Sequence, residues 1–166
     1  MAAVPVDDID LELLRLLCRD SRVSRRQLAR ELGVSAPTVG ERLARLERSG
    51  VLRGYTLLVD WEALGYGVRV YLSVTAGDGF DVAEMMLSLW AIAEVEDVSI
   101  VTGSMDMVVR LRVRDHAHLR ALLLDKVWQI PGMQRTETHI AMAEMPAKDY
   151  PSALLDKMLA DPADDR

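Results

Sequence analysis

Between residues 24 and 49 the chain spells two short helices with a tight turn between them, and few folds accept that pattern. Ser24 with Gln27 three residues on forms a capping-box signature, in which each side chain serves a backbone amide that the helix leaves free. The helix ends at Leu32, where Gly33 can adopt the left-handed conformation that closes a helix. Ser35 then caps a second helix, and Pro37 falls in its first turn, where a missing N–H costs nothing. Val39, Leu43 and Leu46 make one apolar stripe on that helix. Thr38, Arg42, Arg45 and Ser49 cluster on a neighbouring face, with Glu41 at its edge. Such a face suits the DNA major groove, because arginine grips a guanine edge bidentately and threonine reaches bases or phosphates. The alternative is the ordinary solvated face of a small helical bundle, which two caps and a turn in sequence make much the weaker reading.

Charge is distributed in the same sense. The whole chain is acidic, with a net charge of −6, which alone argues against nucleic acid. From Ser21 to Arg53, however, eight arginines face three glutamates, a surplus of +5. From Trp61 onward ten basic residues face seventeen acidic ones, a deficit of −7. Only the basic module needs to meet phosphate.

Composition bounds the remainder. The 166 residues suit one ordinary domain or two small ones, and half are apolar, enough for packed cores. No run of 18 apolar residues occurs, and Met-Ala-Ala-Val-Pro-Val-Asp-Asp lacks the basic and apolar parts of a secretory signal, so a cytoplasmic location is expected. The single Cys18 can form neither an internal disulfide nor a zinc site and reads as a core filler.

Ahead of the motif, Asp7, Asp8 and Asp10 start a helix carrying Ile9, Leu13, Leu16 and Leu17 on one side. After it, Gly50 stops the second motif helix and Val51 to Val59 reads as a strand. The pattern divides the chain into a helix-turn-helix domain at 1–60, a hinge at 61–67, a second domain at 68–145 and an extension at 146–166. In the second domain Val68 to Val74 alternates as a half-buried strand, and Asp81 opens a helix through Val82, Met85, Met86 and Leu89. Strands at 95–102 and 107–113 flank the turn 103–106, Asp115 caps another helix, and Pro131-Gly132 leads into a last strand at 133–143. This β-α-β-β-α-β order predicts a ferredoxin-like body, an antiparallel four-stranded sheet with two helices on one face. The chain is therefore expected to be α+β, a three-helix winged helix-turn-helix head followed by that body. On the uncovered face would lie Arg69, Tyr71 and Ser73 with Val108, Arg110 and Arg112, and Glu137 and His139 have the parity to complement those arginines. A face this mixed reads as a subunit interface, against a merely solvated surface. In the extension, Pro151, Leu154, Leu155, Met158 and Leu159 suit a short amphipathic helix before an acidic end.

The ordered set of motifs resembles the Lrp/AsnC family of feast/famine regulators. It comprises Asp8-Ile9-Asp10, Ser21-Arg22-Val23-Ser24, Gly33-Val34-Ser35, Arg42 to Glu47, Gly50 to Tyr55, Val101 to Asp106, Ile130 to Met133 and Thr136-Glu137-Thr138, spanning residues 7 to about 145. The resemblance implies DNA binding near promoters, a nucleoid-associated location, no cofactor, and a ligand-sensing body, the RAM domain, that builds a homodimer able to assemble into tetramers, octamers or higher. On the DNA side the helix-turn-helix itself offers Arg25, Arg26, Ser35, Pro37, Thr38, Glu41, Arg42 and Arg45. The resemblance also implies an effector, an amino acid or related metabolite, held by Thr102, Gly103, Ser104, Met105, Asp106 and Met107 with Thr136, Thr138 and His139. Chemistry supports that loop independently, because Gly103 lets backbone amides approach a carboxylate and Asp106 could pair with an ammonium group. Asp106 is equally suited to capping the hairpin. The family often has an acid at the position of Ser104, so serine points away from a cationic effector, while Met105 and Met107 suit an apolar side chain. Gly40 inside the recognition helix is unusual and costs roughly 1 kcal/mol against alanine.

His116 and His118 at a helix start read as solvent-facing, and Trp90 and Trp128 near helix ends as packing residues. No nucleophile or oxyanion pattern accompanies His139, and one cysteine with three histidines makes no zinc constellation, so an enzyme is not expected. The leading function is an effector-responsive, sequence-specific regulator of transcription. An architectural protein that organises DNA with little sequence preference is the alternative, and a metabolic enzyme built on the body has almost no support.

Overall fold

The structure is a computed structural model describing residues 4–146 and 148–161. The described residues fall into two compact units: a head, up to Leu57 together with the segment from Pro146, and a body, Leu58–Met145. The acidic end after Asp161 lies outside the described residues.

The head is built on α1 (Asp8–Arg19), α2 (Arg25–Leu32) and α3 (Ala36–Arg48). Asp7 caps α1 and shares a full capping box with Asp10, so those acids do more than offset the helix dipole. Ser24 accepts from the Gln27 amide at 3.2 Å, but the reciprocal half of the expected box is missing. The Gln27 side chain instead donates to Glu31, one turn on, at 3.1 Å. Gly33 closes α2 at φ +66°, and Ser35 caps α3 with Pro37 in the first turn. Leu13 and Leu17 of α1, Leu28 and Ala29 of α2, and Val39, Leu43 and Leu46 of α3 form the buried core. These are the apolar positions that helical spacing selects.

The expected strand at 51–59 does not form. That stretch is irregular, with Leu57 and Leu58 exposed at 85% and 97%. A strand without a neighbour has no ladder to satisfy its amides, so local β-propensity alone does not make one. The extension does form a helix, α6 (Tyr150–Ala160), which packs along α1 within the head; Arg15 lies 3.8 Å from Asp156. Cys18 is exposed rather than a core filler.

The body runs β1 (Val68–Ala76), α4 (Val82–Trp90), β2 (Val95–Ile100), β3 (Met107–Val113), α5 (His116–Asp125), a single 3-10 turn at Val127–Gln129, and β4 (Met133–Ile140). The sheet is antiparallel in the order β2-β3-β1-β4, which is the ferredoxin-like arrangement. Val70, Leu72 and Val74 of β1 and Met107, Val109, Leu111 and Val113 of β3 point into the core, against Met85 and Leu89 of α4 and Leu119, Leu122 and Leu123 of α5. Two expectations about isolated side chains fail. Trp90 is mostly exposed and Trp128 about half exposed, and His118 is largely buried, T-stacked on Tyr66 and 3.2 Å from Glu94. Helix ends carry little apolar surface of their own, so periodicity says nothing reliable about them.

Candidate nucleic-acid interface and effector pocket

Helix α3 presents Thr38, Glu41, Arg42, Arg45 and Arg48 around a shallow concavity of about 430 Å³, with Asp7 at its rim. Helical spacing puts these side chains on one face, and Ser35 steadies its start by accepting the Thr38 amide at 3.2 Å and bonding the Thr38 hydroxyl at 2.7 Å. Pro37 is exposed in the first turn, while Arg25 and Arg26 open α2 in solvent. Arg25 reaches across the motif, and a methyl group built on Gly40 would meet its Nη1 at 3.6 Å.

Arg42 does not stand free as its spacing suggests. Its Nη1 donates to both oxygens of Asp7, at 2.8 and 2.7 Å, and to Asp10 at 2.8 Å. Arg45 also pairs with Asp10 yet remains about half exposed. Asp10 itself is fully buried. Burial would push its carboxyl up, but hydrogen bonds from the Asp7 amide, Arg45 and Arg42 outweigh that and hold it below its ordinary value of 3.8. Arg48 and Asp10 are missing from the residues picked out in the sequence. Helical spacing after Arg45 could have found Arg48, whereas nothing local distinguishes Asp10 from the other acids at the start of α1.

The body brings together only part of the expected effector set. Thr102, Gly103 and Ser104 form an exposed loop with Gly103 at φ +135°, a conformation that favours glycine. Met107 lies wholly in the core, where it pairs across to Val74 and Ile100, so it lines no pocket. Thr136 and Thr138 pair with Val74 and Leu72, which puts them on the helix-covered side of the sheet, and the Thr136 hydroxyl accepts from Trp128 at 3.0 Å. His139 pairs with Tyr71 on the opposite side. Period-2 alternation makes that split unavoidable for neighbouring strand residues.

The residues that meet the loop are Arg135 and Glu137, one position out of phase with the threonines. They join Ser73, Thr75, Ser104 and Met105 around a cavity of about 80 Å³. Asp106 performs the structural one of its two candidate tasks: its carboxylate accepts the Ala76 amide at 2.8 Å, and its own amide donates to the Val74 carbonyl. On the open face, Glu96 of β2 complements the arginines, where Glu137 and His139 had been expected to. It lies 2.7 Å from Arg112, 3.0 Å from Arg110 and 3.8 Å from Arg69, and Glu144 takes Arg69 at 2.6 Å.

Among the described residues no helix is long and apolar enough to cross a membrane, and no group of three potential metal ligands comes together. A basic two-helix reader joined to a ferredoxin-like body defines a class of DNA-binding transcriptional regulator. Residues 6–53 match the winged helix-turn-helix DNA-binding family, and residues 69–150 match the Lrp/AsnC ligand binding domain. The HTH-type transcriptional regulator FL11 of Pyrococcus horikoshii is 32% identical over 139 residues, covering 84% of this chain and 91% of its own. The leucine-responsive regulatory protein of Klebsiella pneumoniae is 32% identical over 142 residues, covering 84% of this chain and 87% of its own. Escherichia coli AsnC shares the fold at a TM-score of 0.82 and 24% identity, covering 88% of this chain and 99% of AsnC. A transcriptional regulator from Neisseria meningitidis, solved as a complex with L-Met, superposes at a TM-score of 0.80 with 22% identity, covering 86% and 94% of the two chains. The chain belongs to the Lrp/AsnC family of transcriptional regulators and is not an enzyme.

Proposed function

We propose that this regulator binds a particular DNA sequence through α3 and that a small zwitterionic metabolite, an amino acid in the first instance, tunes its binding or assembly through the body. The observation that carries the second half is the cavity at the Gly103 loop, where Arg135 offers a cation, Glu137 an anion and Met105 an adaptable apolar wall. A carboxylate and an ammonium group on one small molecule find both partners there, at the cost of loosening the Arg135–Glu137 pair. A lysine- or arginine-like side chain would find no additional acid at Ser104. The L-Met complex of the Neisseria relative makes amino acids the natural first panel. Calorimetry with the twenty amino acids is expected to give heat with at least one, and Arg135→Ala to abolish it. Silence across the panel would exclude the amino-acid reading.

On the DNA side, Thr38, Glu41 and Arg45 are the base-edge readers, while Arg25, Arg26 and Arg48 hold phosphates. Arg48→Ala should weaken all duplexes alike and reduce the log–log salt slope by about 1. Selection from a randomised duplex library should recover a consensus; recovery of none supports the architectural alternative. The working unit is a homodimer, because two heads must be set one helical turn apart to read paired half-sites. The open sheet face around Tyr71 and the exposed Leu57, Leu58 and Leu64 are the surfaces a second copy would cover. Sedimentation at micromolar concentration should give twice the 18.5 kDa chain mass or a multiple of that.

A further inference from the structure

We propose that Asp10, a buried residue of α1, sets the sequence preference of the head by fixing where Arg42 and Arg45 of α3 point. This rests on the reading of the head as a sequence-specific reader. Asp10 is a positioning residue, since its carboxylate is fully buried and is presented to no ligand.

The geometry divides its two oxygens between two arginines. Oδ1 accepts from Arg42 at 2.8 Å, and Oδ2 pairs with Arg45 while also accepting the Asp7 amide at 3.1 Å. Arg42 and Arg45 are one turn apart on the face that lines the α3 concavity. Each guanidinium carries five N–H donors in a rigid fork, so fixing one nitrogen orients the rest. The two arginines are held to different degrees. Arg42 gives its Nη1 to Asp7 and Asp10 together and is 21% exposed, whereas among the described residues Arg45 pairs with Asp10 and is 46% exposed. Asp10 thus holds Arg42 close to the head and leaves Arg45 tethered but about half exposed.

That arrangement favours selectivity over raw attraction. A guanidinium on a freely rotating stem satisfies itself on any phosphate, because phosphates recur along every duplex. One held by a buried carboxylate reaches a guanine edge only where the sequence supplies it. The same carboxylate charges lower the local positive potential, which weakens binding to arbitrary DNA.

The test uses the full chain and the duplex that wild type recovers from a randomised library, against a scrambled duplex of the same composition. Asp10→Asn keeps the side-chain shape and an oxygen for the Asp7 amide but removes the charge. Affinity for the selected duplex is expected to fall about tenfold, with binding to the scrambled duplex unchanged or stronger and a salt slope steeper by about one. In an Arg42→Ala, Arg45→Ala background the same substitution should leave the ratio of the two affinities unchanged. Parallel loss on both duplexes, tracking the unfolded fraction, would show a merely structural role and overturn the proposal. Side-chain ¹⁵N relaxation on wild type gives an answer independent of any variant. Arg42 and Arg45 should be restricted in the free protein and Arg48 mobile, and equal mobility of all three overturns the proposal. If wild type recovers no consensus, the failure belongs to the sequence-specific reading itself, and the inference falls with it.

Discussion

In the body, Glu96 gathers Arg69, Arg110 and Arg112; in the head, Asp10 gathers Arg42 and Arg45. The contacts are chemically alike, but the surroundings differ. Asp97 and Glu144 stand beside the body cluster, so three arginines meet three carboxylates and the open face is close to neutral. In the head Asp7 and Asp10 match Arg42 and Arg45 one for one, but residues 21–53 carry a surplus of five positive charges, and Arg25, Arg26 and Arg48 remain at the cluster's margins. The charge around such a cluster, not the ratio within it, therefore decides whether it closes on itself or stays open to phosphate. It also reconciles an acidic chain with a DNA-binding domain: the acids concentrate away from the basic motif of residues 21–53.

The largest effect is expected from unfolding one unit alone. Leu13→Ala in the head and Leu72→Ala in the body each remove a fully buried leucine, at an expected cost of about 2–5 kcal/mol. Amide hydrogen exchange should show protection lost only in the unit that carries the change. Loss across both would mean that head and body fold as one cooperative unit.

The next effect is smaller and tests the closed cluster. Glu96→Gln leaves Arg110 and the nearly buried Arg112 without their shared charge, and should lower the stability of the body by about 1–3 kcal/mol in urea. The head should melt unchanged. A third experiment compares the two carboxylate centres by acid. Asp10 in the head and Glu94 in the body both titrate below their ordinary values of 3.8 and 4.5. Burial opposes this at Glu94 also, and hydrogen bonds from Lys126, the backbone and His118 prevail. A depressed folded value means the stabilisation is complete above the ordinary value and is lost as pH falls through the lower one. Acid titration followed by circular dichroism should therefore find both units least stable below about pH 4, and Glu94→Gln should flatten the acid limb of the body only.

The smallest expected change is a gain. Gly40→Ala places a methyl group 3.6 Å from Arg25 Nη1, an ordinary contact, so the head should become more stable by up to about 1 kcal/mol. Duplex affinity, measured alongside, would fall only if the close passage of Arg25 over α3 serves DNA binding.

Much of this architecture was legible because it is local. Ser24, Gly33 and Ser35 mark their helix ends through backbone groups within three residues, and the alternation in Val68–Val74 names its own buried face. The site was less legible. Whether Thr136 and Thr138 or Arg135 and Glu137 share the face of the Gly103 loop depends on which side of β4 meets that loop, and a one-residue change of parity reverses the answer. Helical spacing placed Arg42 correctly on its face but could not see Asp7 and Asp10, more than thirty positions earlier, closing on it.

Helix limits, the two apolar cores, the order of strands and the separation of basic from acidic modules are written in the order of the amino acids. All of these follow from interactions between near neighbours or from period alone. Only the tertiary structure decided which carboxylate each arginine meets, that Asp106 serves the backbone, that Met107 is core, and that 51–59 stays out of the sheet. Those outcomes depend on groups distant in sequence, or on a pairing partner that a strand cannot supply for itself.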